Sequence, residues 1–121
     1  MKKLLLILFL LISFVVKSQT IPGEGLIVAE FNAPFSGTKC EFLDDLTDCE
    51  IVKIDISTNK ELQKTHKIAV VPTLIIFYDG EEKGRFQANI MMELEVTQKE
   101  VQEKIDEIIE LWKNIFTEQN Y

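Results

Sequence analysis

Apolar and polar positions along the chain fall into blocks that predict four strands and three helices. The segments 26–32 (LIVAEFN) and 51–56 (IVKIDI) are short and mostly apolar, which is typical of strands buried in a parallel sheet. The segment 73–78 (TLIIFY) is rich in β-branched and aromatic residues, and it runs into Asp79 and Gly80, a hairpin turn signal. We therefore expect a fourth strand that returns antiparallel to the third.

Helical spacing and helix-start signals predict the remaining elements. Apolar residues recur at helical spacing over about 37–46, between the first two strands. Thr58 with Glu61 forms a capping box that opens a short helix ending at about residue 65. A long helix is predicted over about 97–116, where apolar residues repeat every three or four positions behind a second capping box.

The order of these elements predicts an α/β fold. Crossover connections place the first strands parallel to each other, and the hairpin adds an antiparallel strand at one edge of the same sheet. Helices are then expected on both faces of a mixed sheet.

The first 18 residues are predicted to be a secretory signal peptide rather than part of this fold. A basic start precedes a run of 13 residues (4–16) that is apolar apart from one serine. As a helix this run rises only about 20 Å, which is short of the roughly 30 Å hydrocarbon core of a membrane. Cleavage before Gln19 would leave one domain, residues 19–121, that is periplasmic or secreted and has no membrane partner.

Charge and the single histidine narrow the classes of partner. Loss of the three signal lysines lowers the net charge from −7, given by 13 basic and 20 acidic residues, to −10. Such a surface repels nucleic acids and anionic membranes, so neither is an expected partner. His66 has no cysteine or carboxylate at metal-ligand spacing, and it is expected to be a surface residue at a helix end. No metal or cofactor is predicted.

The two cysteines leave two alternatives open. An even number of cysteines in an exported chain favours a Cys40 to Cys49 disulfide. Nine residues of continuous helix would separate the two by about 13 Å, whereas a disulfide needs Cα atoms about 4.4 to 6.8 Å apart. A bridge therefore requires the helix between them to end or bend, and otherwise both thiols are free.

Three segments resemble those of thioredoxins. FNAPFSGTKC, residues 31–40, resembles the active-site segment FWAxWCGPCK, and KIDISTNKEL and VVPTLIIFYDGE resemble two further thioredoxin segments. The resemblance covers the chain from about Leu26 onward and lacks the first strand and helix of the usual member. It implies a thioredoxin-like fold with a minimal four-stranded sheet, ordered 2-1-3-4.

The resemblance also implies where a polypeptide would bind. It places a cis Val71-Pro72 bond beside the active-site loop, next to a groove for an extended peptide. Glu30 falls where thioredoxins carry a buried carboxylate, so it would either be buried there or face solvent. The residues expected to border the groove are Phe35, Ser36, Gly37, Val71, Pro72 and Thr73.

This chain departs from thioredoxins at the two positions that carry their chemistry. Ser36 and Lys39 stand where thioredoxins have the two cysteines. A serine hydroxyl does not exchange with disulfides, and a lysine cannot release a mixed disulfide. We expect Ser36 to be a helix N-cap, and a contact between Lys39 and Glu30 is conceivable.

These departures lead to three hypotheses about function. The first is a redox-inactive or weakly active module that binds an extended polypeptide or another exported protein. The second is an atypical thiol-disulfide oxidoreductase that uses Cys40 with Cys49. The third is an assembly subunit, for example a homodimer, formed through Trp112 and Phe116 of the last helix. Met91 and Met92 would serve either peptide contacts or the core.

Overall fold

The structure is a computed structural model that describes residues 20–38 and 40–119, with side chains up to residue 116. Four strands form one mixed sheet in the order β2-β1-β3-β4. β1 pairs with β2 in parallel and with β3 antiparallel, and β3 pairs with β4 antiparallel. The predicted fold class and strand order are confirmed. The strands are β1 (Leu26–Asn32), β2 (Glu50–Asp55), β3 (Thr73–Tyr78) and β4 (Glu81–Gln87).

The sheet separates two apolar clusters, and each lies under a helix. Ile27, Ala29 and Phe31 of β1 face a cluster that includes residues of helix α1 (Lys60–Thr65). Val28 faces the opposite cluster, formed with β3 and helix α2 (Gln98–Gln119). Both faces of β1 are therefore buried, as its apolar sequence predicts. Each fully buried large side chain contributes about 1.5 to 3 kcal/mol.

The helix predicted over 37–46 is wrong. The described part of this segment holds a short 3-10 turn, Leu43–Asp45, and a second 3-10 turn, Pro34–Ser36, precedes it. Gly37 ends the earlier turn in the left-handed region, at a φ of 66°, and Leu43 and Leu46 still pack on the sheet. Local side chains bond to the backbone here and replace the hydrogen bonds that a helix would make.

The two capping boxes have opposite outcomes. Thr97 N–H donates to Glu100 Oε2 at 3.1 Å and Glu100 N–H donates to Thr97 Oγ1 at 3.2 Å, so the box that opens α2 is confirmed. The box predicted for α1 is wrong, because Asn59 is the N-cap and makes no capping side-chain bond. The Thr58 hydroxyl donates instead to the carbonyl oxygen of Asp55.

None of the helices in the described residues is both long enough and apolar enough to cross a membrane. The predicted signal peptide, residues 1–18, lies outside the described residues. The boundary at Gln19 therefore stays a prediction.

Candidate functional site

The loop after β1 is organised by one asparagine at the end of that strand. Asn32 Oδ1 accepts hydrogen bonds from the Ala33 N–H at 2.8 Å and the Ser36 hydroxyl at 2.7 Å. Its Nδ2 donates to the Thr38 carbonyl at 2.7 Å. Ser36 is not a helix N-cap, because a 3-10 turn ends at this residue and no helix starts directly after it among the described residues.

An apolar cleft of about 250 Å³ opens beside this loop. Phe35 lines the cleft and is 69% exposed. It belongs to the 3-10 turn Pro34–Ser36, in which no residue is buried. Ile90, which is 94% exposed, also lines the cleft. We call this feature the apolar cleft, and its further lining includes Ile56, Ile68, Val70, Val71 and Met92.

The six residues predicted to border a peptide groove lie in three places. Phe35 and Val71 line the apolar cleft. Ser36 and Gly37 line a separate cavity, which Glu30 and Lys53 also line. The Val71-Pro72 bond is cis, and Pro72 lines a third cavity, of about 400 Å³, together with Thr38 and Cys40. The Thr73 side chain is fully buried, so a bound peptide would not reach it.

The connection between β4 and α2 lines part of the cleft, and a hydrogen bond joins it to the loop after β1. Asn89 Oδ1 accepts from the backbone N–H groups of Met91 and Glu93. The Thr38 hydroxyl donates to the Met92 carbonyl at 3.1 Å. Met91 is exposed, whereas Met92 packs against the core, so the two methionines divide between the two uses that the sequence left open.

Glu30 is buried, with 6% of its surface exposed. Its Oε2 accepts a hydrogen bond from the Cys40 backbone N–H at 3.0 Å. Burial raises the pKa of the Glu30 carboxyl, and the Cys40 hydrogen bond and the charge of Lys53 oppose that rise. The alternative in which Glu30 faces solvent is wrong. Lys39 lies outside the described residues, so its contact with Glu30 stays a prediction.

Comparison with known proteins agrees with this sheet and loop. The thioredoxin family profile matches residues 17–107, three quarters of the chain. The chain belongs to the thioredoxin family. Two thioredoxins and one solved structure illustrate how far this similarity extends.

Thioredoxin of Bacillus subtilis (strain 168) is 31% identical in an alignment of 68 residues, and the alignment covers 49% of this chain and 64% of that protein. Thioredoxin of Chlamydia pneumoniae is 32% identical in an alignment of 71 residues, and the alignment covers 52% of this chain and 69% of that protein. The solved structure of a mutant thioredoxin from Halobacterium salinarum NRC-1 superposes with a TM-score of 0.54 at 23% identity, over 69% of this chain and 74% of that one. This last likeness is one of fold alone.

The two cysteines of this family member lie apart, and both are half-buried. Cys40 and Cys49 are both free, and they are not at disulfide distance, so the bridge that the sequence left open is absent. Burial, with the nearby charge of Glu30, raises the pKa of the Cys40 thiol to about 11. Burial and Asp48 raise the pKa of the Cys49 thiol as well. Both shifts disfavour the thiolate, which is the reactive form of cysteine.

His66 ends helix α1, as predicted, but it is not a simple surface residue. Its ring lies between two aromatic rings, with centroids 5.6 Å from Phe31 and 5.1 Å from Phe77. Burial lowers the pKa of His66, Glu82 opposes this shift, and Arg85 adds to it. No metal-binding group of three or more His, Cys, Asp or Glu side chains occurs within residues 20–38 and 40–119.

In the last turns of α2, the Trp112 side chain packs on the sheet and the Phe116 side chain is exposed. The Trp112 ring stacks on Tyr78 with centroids 4.6 Å apart, and Lys83 Nζ lies 5.8 Å from the Trp112 centroid. Phe116 is 69% exposed. Trp112 therefore packs on the sheet, and the proposed homodimer seam stays a prediction.

Two asparagines of the site were not predicted. Asn32 and Asn89 each hold a loop through backbone groups. Asparagine directly after a strand is a turn signal, and it could have identified Asn32 as the residue that shapes the loop. Asn89 lies in a connection whose sequence shows no pattern beyond its two methionines.

Proposed function

We propose that this protein is a polypeptide-binding member of the thioredoxin family that performs no dithiol exchange. The apolar cleft between Phe35 and Ile90, beside a loop that carries Ser36 where thioredoxins have a cysteine, is the observation that supports this function. The expected partner is an extended polypeptide, or another exported protein with an exposed segment. Export itself rests on the predicted signal peptide.

The chemistry of the cleft suits apolar side chains on an extended chain. Phe35 and Ile90 both line the cleft and are strongly exposed, and exposed apolar residues that lie together mark an interaction surface. Met91, next to Ile90 in the sequence, is exposed as well. Methionine adapts its shape to different partners, which suits a site that accepts more than one sequence. A peptide side chain that enters the cleft would cover the ring of Phe35 and the side chain of Ile90.

The oxidoreductase alternative requires a reactive thiolate and a second thiol within reach. Cys40 is half-buried next to Glu30, and that carboxylate disfavours a second negative charge. Cys49 is not at disulfide distance from it. The assembly hypothesis draws on the exposed Leu111, Ile115 and Phe116 of α2, but no observation on the described residues identifies a particular partner there. The peptide-binding function is therefore the one that we put forward.

A binding assay with an unfolded polypeptide tests this function. The probe is fluorescein-labelled, reduced and carboxymethylated α-lactalbumin, which is unfolded and has no free thiol. We expect saturable binding by fluorescence anisotropy, weakened at least fivefold by Phe35→Ala and by Ile90→Ala. Loss of the apolar contact area of one such side chain accounts for a change of this size.

Leu111→Ala is the matched control, because Leu111 is an exposed apolar residue on α2, outside the cleft. It should bind the probe as the unchanged protein does. Equal affinity for all three variants would refute the cleft as the binding site. Reduction of insulin disulfides that is abolished by Cys40→Ser would establish the oxidoreductase hypothesis instead.

A further inference from the structure

The third cavity, of about 400 Å³, adjoins the apolar cleft at two segments of the chain. At the first segment, Val71 lines the cleft and the next residue, Pro72, lines the third cavity. At the second segment, in the connection after β4, Met92 lines the cleft and Glu93 lines the third cavity. Because consecutive residues lie within about 4 Å of each other, the two cavities are neighbouring parts of one groove.

The two parts of this groove rest on opposite faces of the sheet. Ile56 and Ile68, which line the cleft, belong to the apolar cluster that α1 covers. Phe42 and Leu94, which line the third cavity, pack against the cluster that contains residues of α2. The groove therefore crosses the end of the sheet beside Pro72, just before β3 begins.

The third cavity offers apolar contacts of the same kind as the cleft. Its lining includes Pro72 and the half-buried side chains of Phe42, Leu94 and Val96. In an extended polypeptide, alternate side chains point the same way and lie about 7 Å apart. A polypeptide with apolar residues at alternate positions can therefore present two of them to the groove at once.

One hydrogen bond joins the two walls of the groove. The Thr38 hydroxyl, which lines the third cavity, donates at 3.1 Å to the carbonyl oxygen of Met92, which lines the cleft. Within residues 20–38 and 40–119, no other hydrogen bond connects the loop after β1 to the connection after β4. We call this bond the latch. It is exposed, so water can replace it at little cost.

The backbone of Met92 is strained while the latch is closed. Its φ is 60°, in the left-handed region that residues other than glycine, asparagine and aspartate seldom occupy. The Met92 N–H donates to the Asn89 carbonyl at 3.0 Å, which helps to hold this turn. A strained residue held by one exposed hydrogen bond leaves the closed arrangement only slightly favoured over an open one.

We propose that the third cavity is a second subsite for the polypeptide, and that the latch closes the passage between the two subsites. An extended chain places one apolar side chain in the cleft and the next in the third cavity, and it breaks the latch as it crosses. A ligand that fills the cleft alone leaves the latch closed. The inference rests on the proposed peptide-binding function, because the cleft is the first subsite.

Two blocked peptides test the proposal on the full-length, ¹⁵N-labelled protein. The long peptide is acetyl-Gly-Leu-Ser-Leu-Ser-Leu-Ser-Gly-amide, and the short one is acetyl-Gly-Leu-Ser-amide. We expect the long peptide to shift the amide cross-peaks of both Ile90, in the cleft, and Leu94, in the third cavity. The short peptide should shift that of Ile90 alone.

Thr38→Val removes the donor of the latch and keeps the size of the side chain. It should raise the ratio of long-peptide to short-peptide affinity about threefold to tenfold, the effect of one exposed hydrogen bond on the population of the open groove. Leu94→Ala should lower the same ratio at least fivefold, because apolar contact area in the second subsite is lost. Thr47→Val is the matched control, since Thr47 is an exposed threonine that lines neither cavity, and it should leave the ratio within a factor of two.

The outcomes separate this inference from the proposed function. If neither peptide nor the α-lactalbumin probe binds, the proposed function fails, and the second subsite fails with it. If the long peptide binds but shifts the Ile90 amide alone, the third cavity is not a subsite. An affinity ratio that is the same in Thr38→Val and the unchanged protein would overturn the latch. Both of these last results leave the peptide-binding function standing.

Discussion

At the scale of single residues, two ionisable side chains lie in surroundings that disfavour their charged forms: Glu30 is buried and His66 is half-buried. Glu30 lies at the centre of the sheet with one backbone hydrogen bond. His66 lies between Phe31 and Phe77, where a neutral ring packs better than a charged one. Folding therefore favours the neutral form of both groups, but the two affect stability at opposite ends of the pH range.

Glu30→Gln is expected to raise the free energy of unfolding by roughly 1 kcal/mol at pH 8. Burial raises the pKa of Glu30 in the folded protein above its ordinary value of 4.5. The stabilising contribution of the neutral acid is thus fully present below pH 4.5 and is lost as the pH rises through the folded pKa. Urea unfolding at several pH values checks this. A glutamine variant that is less stable than the unchanged protein at pH 8 would contradict it.

His66→Phe is expected to remove a loss of stability on the acid side of neutrality. Burial lowers the pKa of His66 below its ordinary value of 6.5. Stability from the neutral ring is present above pH 6.5 and is lost as the pH falls through the folded pKa. Because this is the single histidine of the chain, thermal unfolding between pH 7.5 and 5 isolates its effect. The same acid loss in both proteins would assign it to other groups.

At the scale of elements, the strands and the long helix were predictable because their signals are local. β1 and β3 are apolar runs with β-branched residues, and α2 starts with a capping box that forms as expected. The prediction of a helix over 37–46 failed although the apolar residues do recur at helical spacing. Backbone N–H and C=O groups early in this segment form hydrogen bonds to side chains outside it instead of to each other. Glu30, ten residues earlier, accepts the hydrogen bond of the Cys40 N–H, and Asn32 Nδ2 donates to the Thr38 carbonyl.

Asn32→Ala is expected to destabilise the protein by roughly 1 to 3 kcal/mol, because three hydrogen bonds that close the loop are lost. Ser36→Ala removes one of these three bonds and also the bond that the Ser36 hydroxyl accepts from the Thr38 N–H at 3.3 Å, and it should cost about 0.5 to 1.5 kcal/mol. Denaturant titration of both variants measures the two values. A smaller cost for Asn32→Ala than for Ser36→Ala would contradict Asn32 as the residue that organises the loop.

At the scale of the whole molecule, the sequence indicated the sheet but not the surroundings of its polar residues. The aromatic neighbours of His66 come from β1 and β3, 35 residues earlier and 11 residues later. Its position at a helix end gave no sign of them. The two cavities likewise require the β1 loop, β2 and the connection after β4 to meet. Contacts of this kind depend on the complete fold.

The edges of the sheet are also a property of the whole molecule. Within the described residues β2 pairs on one side only, with β1. Its exposed Lys53 places a charge in the middle of that edge, which is a common protection against pairing with another chain.

The loop of residues 34–38 lines two cavities: Phe35 lines the apolar cleft, and its neighbours Pro34, Ser36, Gly37 and Thr38 line the separate cavity that Glu30 also lines. The Thr38 hydroxyl fixes the loop to the segment around Met92, so a ligand that moves the loop in one cavity changes the shape of the other. Thermodynamic linkage makes such coupling reciprocal. Occupants of the two pockets would then adjust each other's affinity without touching.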